Sequence, residues 1–104
     1  KTRIDLPEKT RKKVVNLLSV RLADGVDLYL QIKQAHWNVK GPHFIALHEL
    51  FDEIAEVVQG GVDDLAERLS TLGGVAEGTA PVVAKRTSLE AYPLDIASGP
   101  EHLE

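Results

Sequence analysis

At 104 residues, with 43% hydrophobic and 27% charged side chains, the chain has the make-up of one globular domain with a modest core. It contains no cysteine, which excludes disulfides, zinc fingers and thiolate chemistry and suits a reducing compartment. Its net charge is −4, yet residues 1–13 carry six Lys or Arg side chains against two carboxylates, so the remainder holds −8.

The first element begins in that basic stretch. Asp5-Leu6-Pro7-Glu8 reads as a helix start, with Asp5 as cap, Pro7 in the first turn and Glu8 in the capping-box position. The helix is expected to run to about Val39, roughly 45–50 Å at 1.5 Å per residue. Its apolar residues make two stripes: Val15, Leu18, Leu22, Val26 and Tyr29, then Leu17, Leu28, Ile32 and Ala35. A helix apolar over so wide an arc has two surfaces to cover, one by a hairpin partner and one by a further helix or a second subunit.

Gly41-Pro42 ends this helix and opens the next, the proline taking an early helical position. Phe44, Leu47, Leu50, Phe51, Ile54, Val58, Leu65, Leu69 and Leu72 form the apolar face of the second helix, which stops at Gly73-Gly74. A connection this short makes the two helices antiparallel. Gly60-Gly61 interrupts the second helix at a cost of about 1 kcal/mol per glycine, and signals a kink or the close approach of a neighbouring backbone.

From Val75 to Ala97 no long periodic run appears, and Ser88–Tyr92 is the expected short helix, stopped by Pro93. So long a connection reads as a crossover to a distant part of the fold. Ser98-Gly99-Pro100-Glu101 repeats the helix-start signal, and His102-Leu103-Glu104 would be the first turn of a third long helix. One turn does not overcome the cost of helix nucleation, and methionine is absent. The chain is therefore expected to be a fragment, a single domain over 1–104 that is incomplete at its C-terminal end.

The chemistry lies between His36 and Glu67. Imidazole and carboxylate without thiol suit iron, zinc or manganese. On the second helix His48, Asp52, Asp63 and Glu67 fall at roughly 0°, 40°, 60° and 100° around the axis, all on one face. His48 and Asp52 are one turn apart, as are Asp63 and Glu67, but the pairs are centred about 22 Å from each other. No single ion spans that distance. Two copies of the helix packed antiparallel about a two-fold would bring the His48/Asp52 end of one to the Asp63/Glu67 end of the other. His36, across the turn from His48, would add a further nitrogen, and Trp37 beside it is placed to pack in the site or supply an electron. Few nitrogens and several oxygens with open positions suit Fe(II). A helical His and Asp one turn apart are, taken alone, more often plain surface residues, and Asp63 with Glu67 near Arg68 is more often a solvated ion-paired face. His43 and His102 read as surface or packing residues. His48-Glu49-Leu50-Phe51-Asp52 grazes the HExxH zinc-peptidase motif, but its last residue is aspartate, so a zinc hydrolase is a weak competitor.

These residues carry a resemblance. Lys33-Gln34-Ala35-His36-Trp37-Asn38, Gly41-Pro42-His43-Phe44, His48-Glu49-Leu50-Phe51-Asp52 and Asp63-Asp64-Leu65-Ala66-Glu67-Arg68 with Leu72-Gly73-Gly74 closely resemble the Dps family, small ferritin-like shells of bacteria and archaea. Tyr92-Pro93-Leu94-Asp95-Ile96 is similar to that family's crossover.

The resemblance implies an all-α, ferritin-like four-helix bundle subunit. This chain would supply the first two long antiparallel helices, a crossover with a short helix and the start of the third helix. It implies a two-fold dimer within a dodecameric shell that oxidises Fe(II), with peroxide favoured over dioxygen, and stores Fe(III) mineral without an organic cofactor. It places the ferroxidase ligands on His36, His48 and Asp52 of one subunit and on Asp63 and Glu67 of its mate.

Weak non-specific DNA binding would fall to the basic N-terminal segment, although a solvated helix face is the commoner meaning of so short a patch. No apolar run reaches the roughly 20 residues of a membrane span and no signal peptide opens the chain, so a cytoplasmic protein is expected. The rival readings are a nucleoid-binding structural protein with little catalysis and a dimer stapled by permanently bound zinc.

Overall fold

In the computed structural model, residues 7–90 are described and fold into three helices: α1 (Glu8–Asn38), α2 (Phe44–Thr71) and a short α3 (Ala80–Arg86). The expected cap at Asp5, the crossover-like residues 92–96 and the helix start at Ser98 lie outside the described residues. Pro7 stands just before α1 rather than inside it, and its carbonyl accepts the first helical bond from the Arg11 N–H at 2.9 Å.

Residues 8–38 form one helix of 31 residues, about 46 Å long at 1.5 Å per residue. It packs along α2 in a long hairpin. At the hairpin tip Gly41 adopts φ 101°, the left-handed conformation that reverses the chain without Cβ strain. Pro42 belongs to this turn and not to α2, because the Phe44 N–H already closes back onto the Gly41 carbonyl at 3.2 Å. The other end of α2 closes in a Schellman arrangement: Gly73 has φ 88°, the Gly74 N–H donates to the Leu69 carbonyl and the Gly73 N–H to that of Ser70, both at 3.0 Å. Arg11 of α1 donates to the Leu72 carbonyl at 3.2 Å, tying the start of one helix to the end of the other.

The two stripes of α1 have different fates. Leu22 is buried, with Val15, Leu18, Val26 and Tyr29 half-buried, so the first stripe faces the rest of the chain. In the second, Ala35 is buried but Leu17 and Leu28 remain exposed. On α2, Leu47, Phe51, Ala55, Leu69 and Leu72 are buried, whereas Phe44, Leu50 and Ile54 from the expected apolar face are exposed. Spacing of 3–4 marks an apolar face but does not say which part of it meets the chain's own partner helix.

Gly60 and Gly61 lie within an uninterrupted α2, and a Cβ on either would meet nothing within 4 Å. No backbone of the described residues approaches them.

The expected helix at Ser88–Tyr92 does not form over its described part, Ser88–Glu90, and the short helix among the described residues is α3, Ala80–Arg86. Pro81 sits in its first turn, where an N–H has no helical partner to lose. Val83 of α3 is buried, and the segment after α3 is held along one side of α1. There the Ser88 N–H donates to Asp24 at 2.7 Å, the Thr87 hydroxyl to Asp27 at 2.7 Å, and the Gln31 amide to the Glu90 carbonyl at 2.8 Å. Asp24, Asp27 and Gln31 recur at helical spacing and so present one face to the crossover.

Candidate metal centre

A cluster of buried apolar residues, Ala35, Val39, Leu47 and Phe51 with Ile32 packed against it, lies at the hairpin tip. It fixes the end of α1 against the start of α2 and so fixes His36 against His48. Their rings stack with centroids 3.6 Å apart and planes 22° apart, and Phe44 stacks on His48 from 5.2 Å.

The stacking is accompanied by a reciprocal pair of hydrogen bonds. His36 Nδ1 bonds the His48 carbonyl at 2.5 Å, and His48 Nδ1 bonds the His36 carbonyl at 2.8 Å. A carbonyl only accepts, so both Nδ1 atoms carry protons, and in the neutral rings both Nε2 atoms keep their lone pairs. A backbone carbonyl on one nitrogen is the usual way a metal-binding imidazole is oriented and kept in one tautomer. The donor set therefore fits a metal such as Fe(II): two oriented imidazole nitrogens one turn from a carboxylate.

That carboxylate already has a partner. Asp52 Oδ1 accepts from Lys33 Nζ at 2.8 Å. The hydrogen bond from Lys33 is the main reason the Asp52 carboxyl is held below its ordinary range, with the nearby imidazoles adding to it. The same bond holds the Lys33 ammonium above its ordinary range against the opposing effect of desolvation. Lys33 stands three residues before His36, one turn away on the same side of α1. The motif containing it was legible, but a partner 19 residues distant across the hairpin was not.

Asp63 and Glu67 are exposed on the same uninterrupted α2 and are not brought to the histidines. Asp63 borders a groove with Val26, Tyr29, Gln59 and Val62, and Glu67 a shallow recess with Asp64, Arg68 and Thr71. Among the described residues no group of three or more His, Asp or Glu side chains converges as a metal site within one chain. Trp37 is 65% exposed and does not pack on the histidines of its own chain.

Residues 15–104 match the family described as "Ferritin-like domain". The chain belongs to the ferritin-like family. Proteins named Dps, or for DNA protection during starvation, are among its relatives. The "DNA protection during starvation protein" of Agrobacterium fabrum is 45% identical over all 104 residues. The tetragonal form of Mycobacterium smegmatis Dps superimposes with a TM-score of 0.91 at 37% identity over 99% of this chain. The Dps protein of Vibrio cholerae O1, described as a member of a broad superfamily of ferritin-like diiron-carboxylate proteins, gives a TM-score of 0.88 at 29% identity over 96%. The ferritin-like chain spans 64% of the first of these relatives and 62% of each of the other two. Its α1–α2 hairpin and crossover thus have the ferritin-like fold. Among the described residues no helix is long and apolar enough to cross a membrane.

Proposed function

We propose that this chain forms a two-fold dimer whose intersubunit sites oxidise Fe(II), as part of an iron-storing Dps-type shell that protects DNA. The observation that carries the reading is the His36–His48 pair, with both Nδ1 atoms committed to carbonyls and both Nε2 atoms left to bind. Iron is the substrate and cargo. His36, His48 and Asp52 bind it from one subunit, and Asp63 and Glu67 from the other. Two Fe(II) ions supply the two electrons that reduce hydrogen peroxide to water, so the O–O bond breaks without releasing hydroxyl radical, and the Fe(III) product passes to a mineral inside a dodecameric shell.

The register of α2 supports the dimer independently. His48 with Glu67, and Asp52 with Asp63, both centre between Val57 and Val58. A two-fold axis at that point pairs both sets at once. Val57, Leu50 and Ile54 are apolar yet exposed, but at 100° per residue they fall about 180–240° from His48, on the side of α2 away from the ligands, and so offer a surface to a further helix rather than to this dimer.

Gln59→Trp tests this. Gln59 is exposed within one chain, lies at about 20° on the ligand face, and pairs with Glu56 of the mate about the same centre. Across the axis the indole overpacks both copies of the contact, and the dimer dissociation constant is expected to rise at least about tenfold. Sedimentation equilibrium reads the change, and Fe(II) oxidation should fall in step with dimer content. An undiminished dimer would contradict this register.

The DNA protection in this reading comes from the iron chemistry. Of the basic segment, Arg11 is bonded to the Leu72 carbonyl and Lys12 is paired with Glu8 at 3.6 Å, while Lys9 and Lys13 are exposed. Among the described residues, these cations give weak, strongly salt-dependent attraction to phosphates.

A further inference from the structure

We propose that Lys33 is a built-in counter-ion of the metal site: it holds Asp52 while no metal is bound and gives way when a divalent cation enters. The inference rests on the intersubunit site just described and concerns a residue to which that reading gives no part. Lys33 Nζ lies 2.8 Å from Asp52 Oδ1, the kind of oxygen a metal would take. The lysine side chain is only 21% exposed, so it is seated against α2, where Glu56 also acts on it.

The electrostatics give the lysine two jobs. Dimerisation would gather three carboxylates at each site: Asp52, and the partner's Asp63 and Glu67. With neutral imidazoles the metal-free site carries three negative charges, and like charges so placed oppose association. Lys33 offsets one of them. A divalent cation arriving at the site must compete with the ammonium for Asp52, so the same residue that steadies the empty dimer weakens metal binding. Lysine suits such a part, because its compact charge rides on a flexible four-carbon stem that can swing aside.

Lys33→Met keeps the stem and removes the charge. Co(II), which binds like Fe(II) but is not oxidised in air under these conditions, is titrated calorimetrically into the metal-free full-length protein, with thermal unfolding measured before and after. Lys33→Met is expected to bind Co(II) at least about fivefold more tightly, the upper range of an exposed ion pair. Its metal-free form should melt lower and recover on Co(II) addition, whereas Lys33→Arg should behave as wild type in both respects. Lys33→Gln provides a second neutral variant with a polar end. His48→Ala serves as the control for the site itself. Loss of Co(II) binding in His48→Ala, with unchanged affinity in Lys33→Met and Lys33→Gln, would overturn the part assigned to Lys33 and leave the site standing. Undiminished Co(II) binding in His48→Ala would overturn the site.

Discussion

Alanine at both His36 and His48 is expected to slow Fe(II) oxidation at least about a hundredfold in stopped-flow absorbance measurements. Removing a partner that only orients a metal ligand already costs about 10–100-fold, and here the ligating nitrogens themselves are removed. The difficulty in reading such a variant is that these rings also bind α1 to α2, through their stacking and the reciprocal carbonyl bonds. Asparagine separates the two effects. Its amide N–H can replace Nδ1–H toward the carbonyl, but it reaches no further and offers nothing in place of Nε2. His48→Asn should therefore oxidise iron as slowly as His48→Ala while unfolding close to wild type. Wild-type oxidation rates in the double alanine variant would end the assignment.

Asp24→Ala is expected to lower unfolding stability by about 2 kcal/mol or more, the worth of hydrogen bonds to a charged group together with the donors left behind. Asp24 is the one buried charged residue among those described. It accepts from the Ser88 N–H at 2.7 Å and the Ser88 hydroxyl at 2.9 Å, and pairs with Arg21 at 3.0 Å. These bonds pin the crossover to α1. The Ser88 N–H is the largest influence holding the Asp24 carboxyl below its ordinary value of 3.8, against the effect of burial. A carboxylate with a depressed folded-state pKa contributes stability above its unfolded value, and that contribution disappears as pH falls through the depressed value. The wild type should accordingly lose part of its stability below about pH 4. Asp24→Ala should lose correspondingly less over the same range, as read from urea midpoints at stepped pH. Parallel pH profiles for the two proteins would show that Asp24 does not bind the crossover in this way.

What the sequence made legible follows from how local each interaction is. Gly73 ends α2 and Gly41 reverses the chain just after α1 through backbone conformations that depend on the glycine itself, so both places could be read directly. The ligand spacings were equally open, because a helix turns residue numbers into angles and distances. Apolar spacing was less informative. Leu50 and Ile54 belong to the apolar face of α2, yet they are exposed in the single chain, because only the placement of α1 decides which part of that face is covered. Asp24 gave a faint signal as a carboxylate between Ala23 and Gly25 in an apolar stretch, but its crossover partner Ser88 stands 64 residues away. Lys33 was hidden for the same reason. Ala80–Arg86 was missed because Pro81 reads as a breaker until its place in the first turn is known.

The most direct test of the central claim is complementation between two inactive variants. His48→Ala and Glu67→Ala are each expected to abolish rapid Fe(II) oxidation alone, since every site in either homodimer lacks a ligand. In a heterodimer of the two, one site loses both ligands and the other regains both. Mixed and reassociated at random, the variants should recover about one quarter of the wild-type sites, and of the fast oxidation amplitude. Recovery near that level is the result predicted for a site shared between subunits. No recovery, in a sample shown to contain heterodimers, would mean that His48 and Glu67 do not meet across the dimer.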